Sequence, residues 1–119
     1  MDLERQISEK AITLVKAQST SHPAEYRSLC ERLPTLLRTA GLAQMLAFLR
    51  AKGGHPHGDV YQHMQEQFSN LGIPVDGGLF DMVVSPRTDT SQYRFYSRVA
   101  ARIAFWHKRL AQALLKGAI

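Results

Sequence analysis

The sequence predicts an all-α fold: a compact single-domain bundle of about five to six helices with a long C-terminal helix. Three observations predict it. Apolar residues recur at three- and four-residue spacing along most of the chain, the signature of helices buried on one side. Gly, Pro and Ser/Thr clusters interrupt that spacing and divide it into segments. The one stretch that reads as either helix or strand, Leu79-Phe80-Asp81-Met82-Val83-Val84, has no second strand to pair with and is read as helix. At 119 residues and 45% hydrophobic content, the chain has the size and composition of one globular domain, 1–119, and disorder is disfavoured.

In chain order, Asp2 caps a first helix running to about Gln18, with Leu3, Ile7, Ala11 and Leu14 as its inward stripe. Ser19-Thr20-Ser21-His22 breaks it, and Pro23 reads as the first residue of the next helix, with Glu25 in its first turn. Tyr26, Leu29, Cys30, Leu33 and Leu37 then recur at helical spacing. Pro34 lies inside that pattern and cannot donate to the carbonyl of Cys30, so a kink or a break is expected there. Gly41 falls where the second helix should stop and reads as a left-handed cap. Beyond it, Leu42, Met45, Leu46 and Leu49 share one face of a third helix, with Ala47 and Phe48 widening the apolar arc. The stretch Leu33–Gly53 thus predicts a helix–glycine–helix corner against which every other helix packs.

Gly53-Gly54-His55-Pro56-His57-Gly58 is a loop, and Asp59 with Gln62 resembles a capping pair at the start of a helix carrying Tyr61, Met64, Phe68 and Leu71. Gly72 and Pro74 end it. The last helix runs from about Asp89 to Lys116. On a helical wheel Tyr96, Val99, Ile103, Trp106, Leu110 and Leu114 gather on one side. Arg94, Arg98, Arg102, Arg109 and Lys116 gather roughly opposite, with Phe105 and Gln112 among them. One side is expected to dock on the core; the other is a cationic ridge about 33 Å long at ~1.5 Å per residue.

The charge distribution sharpens this. Net charge is +5, yet residues 1–89 carry nine Lys/Arg against ten Asp/Glu, while residues 90–119 carry six Lys/Arg and no acid. Such asymmetry points to a polyanionic partner at one end of the fold. Arginines at 94, 98 and 102 also repeat one charge at i, i+4, i+8, which costs repulsion where Glu–Lys pairs would stabilise. An ordinary solvated face is the plain alternative, but an acid-free run of this length favours an external anion. Four of the six cations are Arg, whose flat guanidinium suits phosphate forks and base stacking. Phe105, a ring among arginines, is open to three uses: stacking on an unpaired base, plugging into a neighbouring subunit, or tucking sideways into the core. Engagement of four or five phosphates predicts a log–log salt slope near −3, at ~0.7 per phosphate for a single strand.

Catalysis is not expected. His55, His57, Asp59 and His63 form the one cluster with metal-ligand residue types, but their spacing fits no helix-borne pair and no CxxC accompanies them. A metal-dependent nuclease using His55, His57 and His63 is therefore the weakest reading. Gly53-Gly54 and Gly77-Gly78 neither follow a strand nor lead into GK[ST], so they are not phosphate loops. No nucleophile–base arrangement can be argued, and no cofactor is implied. The single Cys30 excludes an internal disulfide and, at a core-spaced position, reads as a buried thiol. No apolar run approaches the ~18 residues needed to cross a membrane, and the N-terminus reads as a helix start and not a signal peptide. A cytoplasmic location is expected.

The corner LPTLLRTAGLAQMLAFLRAKG (Leu33–Gly53), taken with Tyr93-Arg94…Ala100…Trp106-His107-Lys108-Arg109-Leu110-Ala111, resembles the small subunit of the type III-B CRISPR RNA-targeting complex, the Cmr small-subunit family. The likeness spans most of the chain. Its one departure in the corner is Ala40, where the family often carries Asn. The resemblance implies a non-catalytic, all-helical subunit whose copies stack in a minor filament beside the crRNA-bound backbone ribonuclease subunits and the large polymerase-like subunit. Together these line the groove where target RNA pairs with the guide. It also implies that Arg94, Arg98, Arg102, Lys108 and Arg109 face RNA, and Phe105 joins these candidates on the base-stacking use of its ring. Arg38 and Lys52 follow with less weight, since both sit where a helix dipole favours cations. The rival reading is a small DNA-binding regulator presenting its last helix to a major groove. A recognition helix is shorter, though, and reads bases from its N-terminal part.

Overall fold

In a computed structural model that describes residues 2–117, six α-helices form the fold: α1 (Leu3–Lys16), α2 (Pro23–Ala40), α3 (Leu42–Lys52), α4 (Asp59–Asn70), α5 (Leu79–Val83) and α6 (Thr90–Leu114). One π-type turn, Gly54–Gly58, joins α3 to α4. The local chemistry explains most boundaries. Asp2 accepts from the backbone N–H of Glu4 (3.1 Å) and caps α1. Pro23 opens α2 as expected. Asp89 and Gln92 form a reciprocal capping box at the start of α6, with bonds of 2.8 and 2.9 Å. Leu79–Val83 is helical, as expected for a segment without a strand partner.

Gly41 joins two helices in a single residue. Its N–H donates to the Leu37 carbonyl (2.9 Å), ending α2, while its carbonyl accepts from Met45 (3.0 Å), starting α3. Its φ of 85° and ψ of 164° lie at positive φ but outside the left-handed helical region, a conformation that only glycine adopts without strain. Pro34 neither breaks nor restarts α2, which is continuous from Pro23 to Ala40; the packing of Leu33 and Leu37 on either side holds it together.

The corner is not the hub. α6 is: it lies along both α2 and α1, while α3 packs on α2, α4 and α5, and α1 packs on α6 and α4. The reason is on the inward face of α6, where Ala100, Ala104 and Ala111 let the neighbouring helices approach closely around Val99 and Ile103. That face is rotated from the expected one. Trp106, Tyr96 and Leu110 are half-buried at its edge, and Leu114 is exposed. Bulk hydrophobicity places the docking side under Trp106, whereas close approach places it under the alanines.

All five spaced residues of α2, Tyr26, Leu29, Cys30, Leu33 and Leu37, are buried. In α1 the buried set is Ile7, Ala11, Leu14 and Val15, and Leu3 is exposed.

A polar chain runs through this core. Gln67 of α4 donates to the Ile7 carbonyl of α1 (3.0 Å), which requires its amide nitrogen to face that way, and the same nitrogen lies 3.1 Å from Nε2 of His107 in α6. His107 therefore accepts at Nε2 and carries its proton on Nδ1, which donates to Tyr26 Oη of α2 (3.1 Å). The Tyr26 hydroxyl in turn donates to His63 Nδ1 of α4 (2.7 Å). Four helices are thus tied by one run of hydrogen bonds, in which the Gln67 amide oxygen alone is buried without a partner among the described residues. Burial holds both histidines neutral: it lowers the His63 pKa and lowers that of His107 to about 3.

A candidate nucleic-acid interface

The outward face of α6 carries most of the residues expected to meet RNA. Arg94, Arg98 and Arg109 are exposed, and among the described residues none of them forms an ion pair. Lys108 is half-buried and likewise has no ion pair among the described residues.

Arg102 departs from this pattern. Its guanidinium grips both carboxylate oxygens of Glu4 in α1, with Nε to Oε2 at 2.9 Å, and the Trp106 indole N–H donates to the same carboxylate (3.1 Å). The Arg102 guanidinium, assisted by the indole, lowers the Glu4 pKa, and the Arg102 pKa is raised in return. The expectation of unneutralised arginines thus fails at Arg102, because the docking of α1 delivers an acid that lies 98 residues away in sequence.

Phe105 does not tuck into the core; it is 38% exposed. The guanidinium groups of Arg102 and Arg109 each lie 5.2 Å from its ring centre, so the ring serves as a plate that aligns both.

Beside this ridge runs a groove of about 530 Å³, lined by Pro34, Leu37 and Arg38 of α2, the Gly41-Leu42 corner, and Tyr93, Ser97, Ala101, Arg102 and Phe105 of α6. Three residues nominated for separate reasons, Arg38, Arg102 and Phe105, therefore meet in one place. Lys52 does not join them. It ends α3 and lies close enough to His57 to help lower that imidazole's pKa, after burial and together with Arg32.

The histidines with metal-ligand chemistry do not converge either. His63 belongs to the core chain and His57 packs edge-on against Phe48. His55 bonds to Asp59 through Nδ1 and to the His22 carbonyl through Nε2 (3.0 Å). The carboxylate of Asp59 and the carbonyl of His22 are both acceptors, an arrangement that favours the protonated ring of His55. Burial pulls its pKa down, but the bonds to Asp59 and His22 outweigh it and the net shift is upward. This also corrects the expected capping role of Asp59. The residue opens α4, but its carboxylate is turned to His55, and no side chain caps that helix.

Residues 3–114 match the family described as CRISPR-associated protein (Cas_Cmr5). The chain belongs to the Cmr5 family. It is 33% identical over 93 residues to the CRISPR system Cmr subunit Cmr5 of Thermus thermophilus, an alignment spanning 77% of this chain and 76% of that protein. The crystal structure of a CRISPR-associated Cmr5 family protein from Thermus thermophilus superposes with a TM-score of 0.82 at 28% identity, covering 98% of this chain and 100% of that one. The resemblance carried by Leu33–Gly53 and the tryptophan-bearing C-terminal helix is therefore correct at the level of family and fold.

Within this Cmr5-family fold the groove also brings in Tyr93, Ser97 and Ala101, which the sequence reading did not put forward as site residues. A signal for them existed. Tyr93, Ser97, Ala101 and Phe105 form an i, i+4 row directly alongside the Arg94, Arg98, Arg102 row. Attention to charge alone passes over it.

Proposed function

We propose that this protein is a non-catalytic subunit of a CRISPR Cmr ribonucleoprotein complex and contacts RNA through the outward face of α6. The single observation that carries the RNA contact is the row of exposed arginines, Arg94, Arg98 and Arg109, without carboxylate partners among the described residues, in a chain whose last thirty residues hold no Asp or Glu. The assembly itself is supported by membership of the Cmr5 family and by the relative named as a Cmr subunit. Copies of the chain, the backbone ribonuclease subunit and the large polymerase-like subunit are the protein neighbours in this reading, with crRNA and target RNA as the polyanion. No described helix is long and apolar enough to cross a membrane.

With Arg102 committed to Glu4, the ridge of each copy offers about three phosphate contacts, which corresponds to a salt slope near −2 at ~0.7 per phosphate. A single copy therefore binds weakly, and stacked copies gain affinity through effective concentration. α6 lies along α1 and α2, which counts against its insertion into a major groove as a recognition helix. The test is charge reversal of Arg94, Arg98 and Arg109 together in the assembled complex. Target RNA should no longer be retained while the far-UV circular dichroism of the subunit is unchanged; normal retention would reject the ridge.

A further inference from the structure

We infer that the groove between α2 and α6 receives an unpaired nucleobase, with the flanking phosphates held by Arg38 on one bank and by the arginine row on the other. This deepens the RNA-contact reading and rests on it.

The walls are those of a site for a flat, apolar ring. Pro34, Leu37, Leu42 and Ala101 supply aliphatic surface, and Tyr93 and Phe105 supply aromatic surface, around about 530 Å³. The polar points suit the edge of a base. Tyr93 Oη accepts from the Ala43 backbone N–H (3.1 Å), which leaves the hydroxyl proton to be donated, and the Ser97 side chain also lines the groove. The charge argument selects a nucleotide over a purely apolar guest. Arg38 is exposed on the α2 side and has no ion pair among the described residues, and Arg98 stands one residue along the helix from Ser97 on the other side. An apolar trough with cations on both banks complements a ring joined to anions at each end. A base already paired and stacked in a duplex cannot enter it; only an unpaired one can.

The experiment uses the isotopically labelled full chain at low salt, with amide shifts followed during titration by a short single-stranded RNA and by an abasic strand of equal phosphate number. The base-bearing strand should move Leu42, Tyr93, Ser97 and Ala101 together with Arg94, Arg98 and Arg109, and the abasic strand should move the arginines alone. Ala101→Phe, which fills the groove from an exposed position, should weaken binding of the base-bearing strand by roughly ten- to a hundredfold, the loss expected for one stacked base. Binding of the abasic strand should be unchanged. Equal groove shifts from both strands, or shifts confined to the arginines with both, would overturn the base pocket and leave the ridge standing. Silence from both strands would overturn the RNA reading itself. Groove shifts that grow with protein concentration in the absence of RNA would mean that a second copy occupies it, which also overturns the inference.

Discussion

The two faces of α6 behave as different materials. On the inward face Val99, Ala100, Ile103, Ala104, His107 and Ala111 are buried, and the one polar group among them, His107, is bonded on both ring nitrogens. On the outward face Arg94, Arg98 and Arg109 are exposed with no ion pair among the described residues, and the ring of Phe105 carries the guanidinium groups of Arg102 and Arg109. A helix interior that satisfies all of its own groups contributes to stability and leaves nothing to offer a ligand. A face whose charges are unsatisfied contributes little to stability and retains its capacity to bind. Arg102 shows how little separates the two conditions. It lies in the outward row, yet one acid from α1 removes it from the binding inventory and makes it a tie between helices.

Breaking the inward face should produce the largest effects. Ile103→Ala leaves a cavity among fully buried neighbours and should cost about 2–5 kcal/mol in denaturant unfolding. The salt dependence of RNA binding by the folded fraction should be unaltered; a changed slope would mean the faces are not independent. Tyr26→Phe removes the hydroxyl between His63 and His107 and strands a buried nitrogen on each, at about 1–3 kcal/mol per unsatisfied group. Loss of less than a few tenths of a kcal/mol would show that the chain of bonds does not hold as described.

The same two histidines set a pH dependence. Their folded pKa values lie below the ordinary ~6.5, so the unfolded state binds more protons once pH falls below that value. Their contribution to stability is complete above about pH 6.5. It declines as pH falls toward the His107 value of about 3. His55 acts in the opposite sense: its raised folded pKa stabilises at low pH, and that share is lost as pH rises through it. Equilibrium unfolding of the wild type, Tyr26→Phe and Asp59→Asn across this range separates the two. Asp59→Asn should flatten only the neutral limb.

The smallest effect belongs to the boundary between the faces. Glu4→Gln breaks the exposed pair with Arg102, worth at most about 1 kcal/mol and less at high salt. It should nonetheless strengthen RNA binding, because it returns Arg102 to the ridge. Unchanged or weaker binding would mean that Arg102 is purely structural.

The inward row of α2, the start of α6 near Asp89, the helical 79–83 segment and the position of the glycine joint were legible, because each follows from residues close together in the chain. The hub role of α6 and the orientation of its docking face were not. A hydrophobic wheel weighs Trp106 and Leu114 above Ala100 and Ala104, while helix packing rewards the small residues that let axes approach. The polar chain from Gln67 through His107 and Tyr26 to His63 was equally hidden, since its members are scattered from residue 26 to residue 107.

The sequence by itself determined that the chain is helical, that it resembles the Cmr small-subunit family, and that its positive charge is concentrated where no acid follows; propensity, periodicity and local charge are properties of neighbours in the chain. Only the tertiary structure decided which arginine is spent on Glu4, which side of α6 lies inward, and that Arg38 shares a groove with Phe105. Those outcomes depend on which distant surfaces are brought within a few ångströms, where a hydrogen bond or a close packing contact is made or lost.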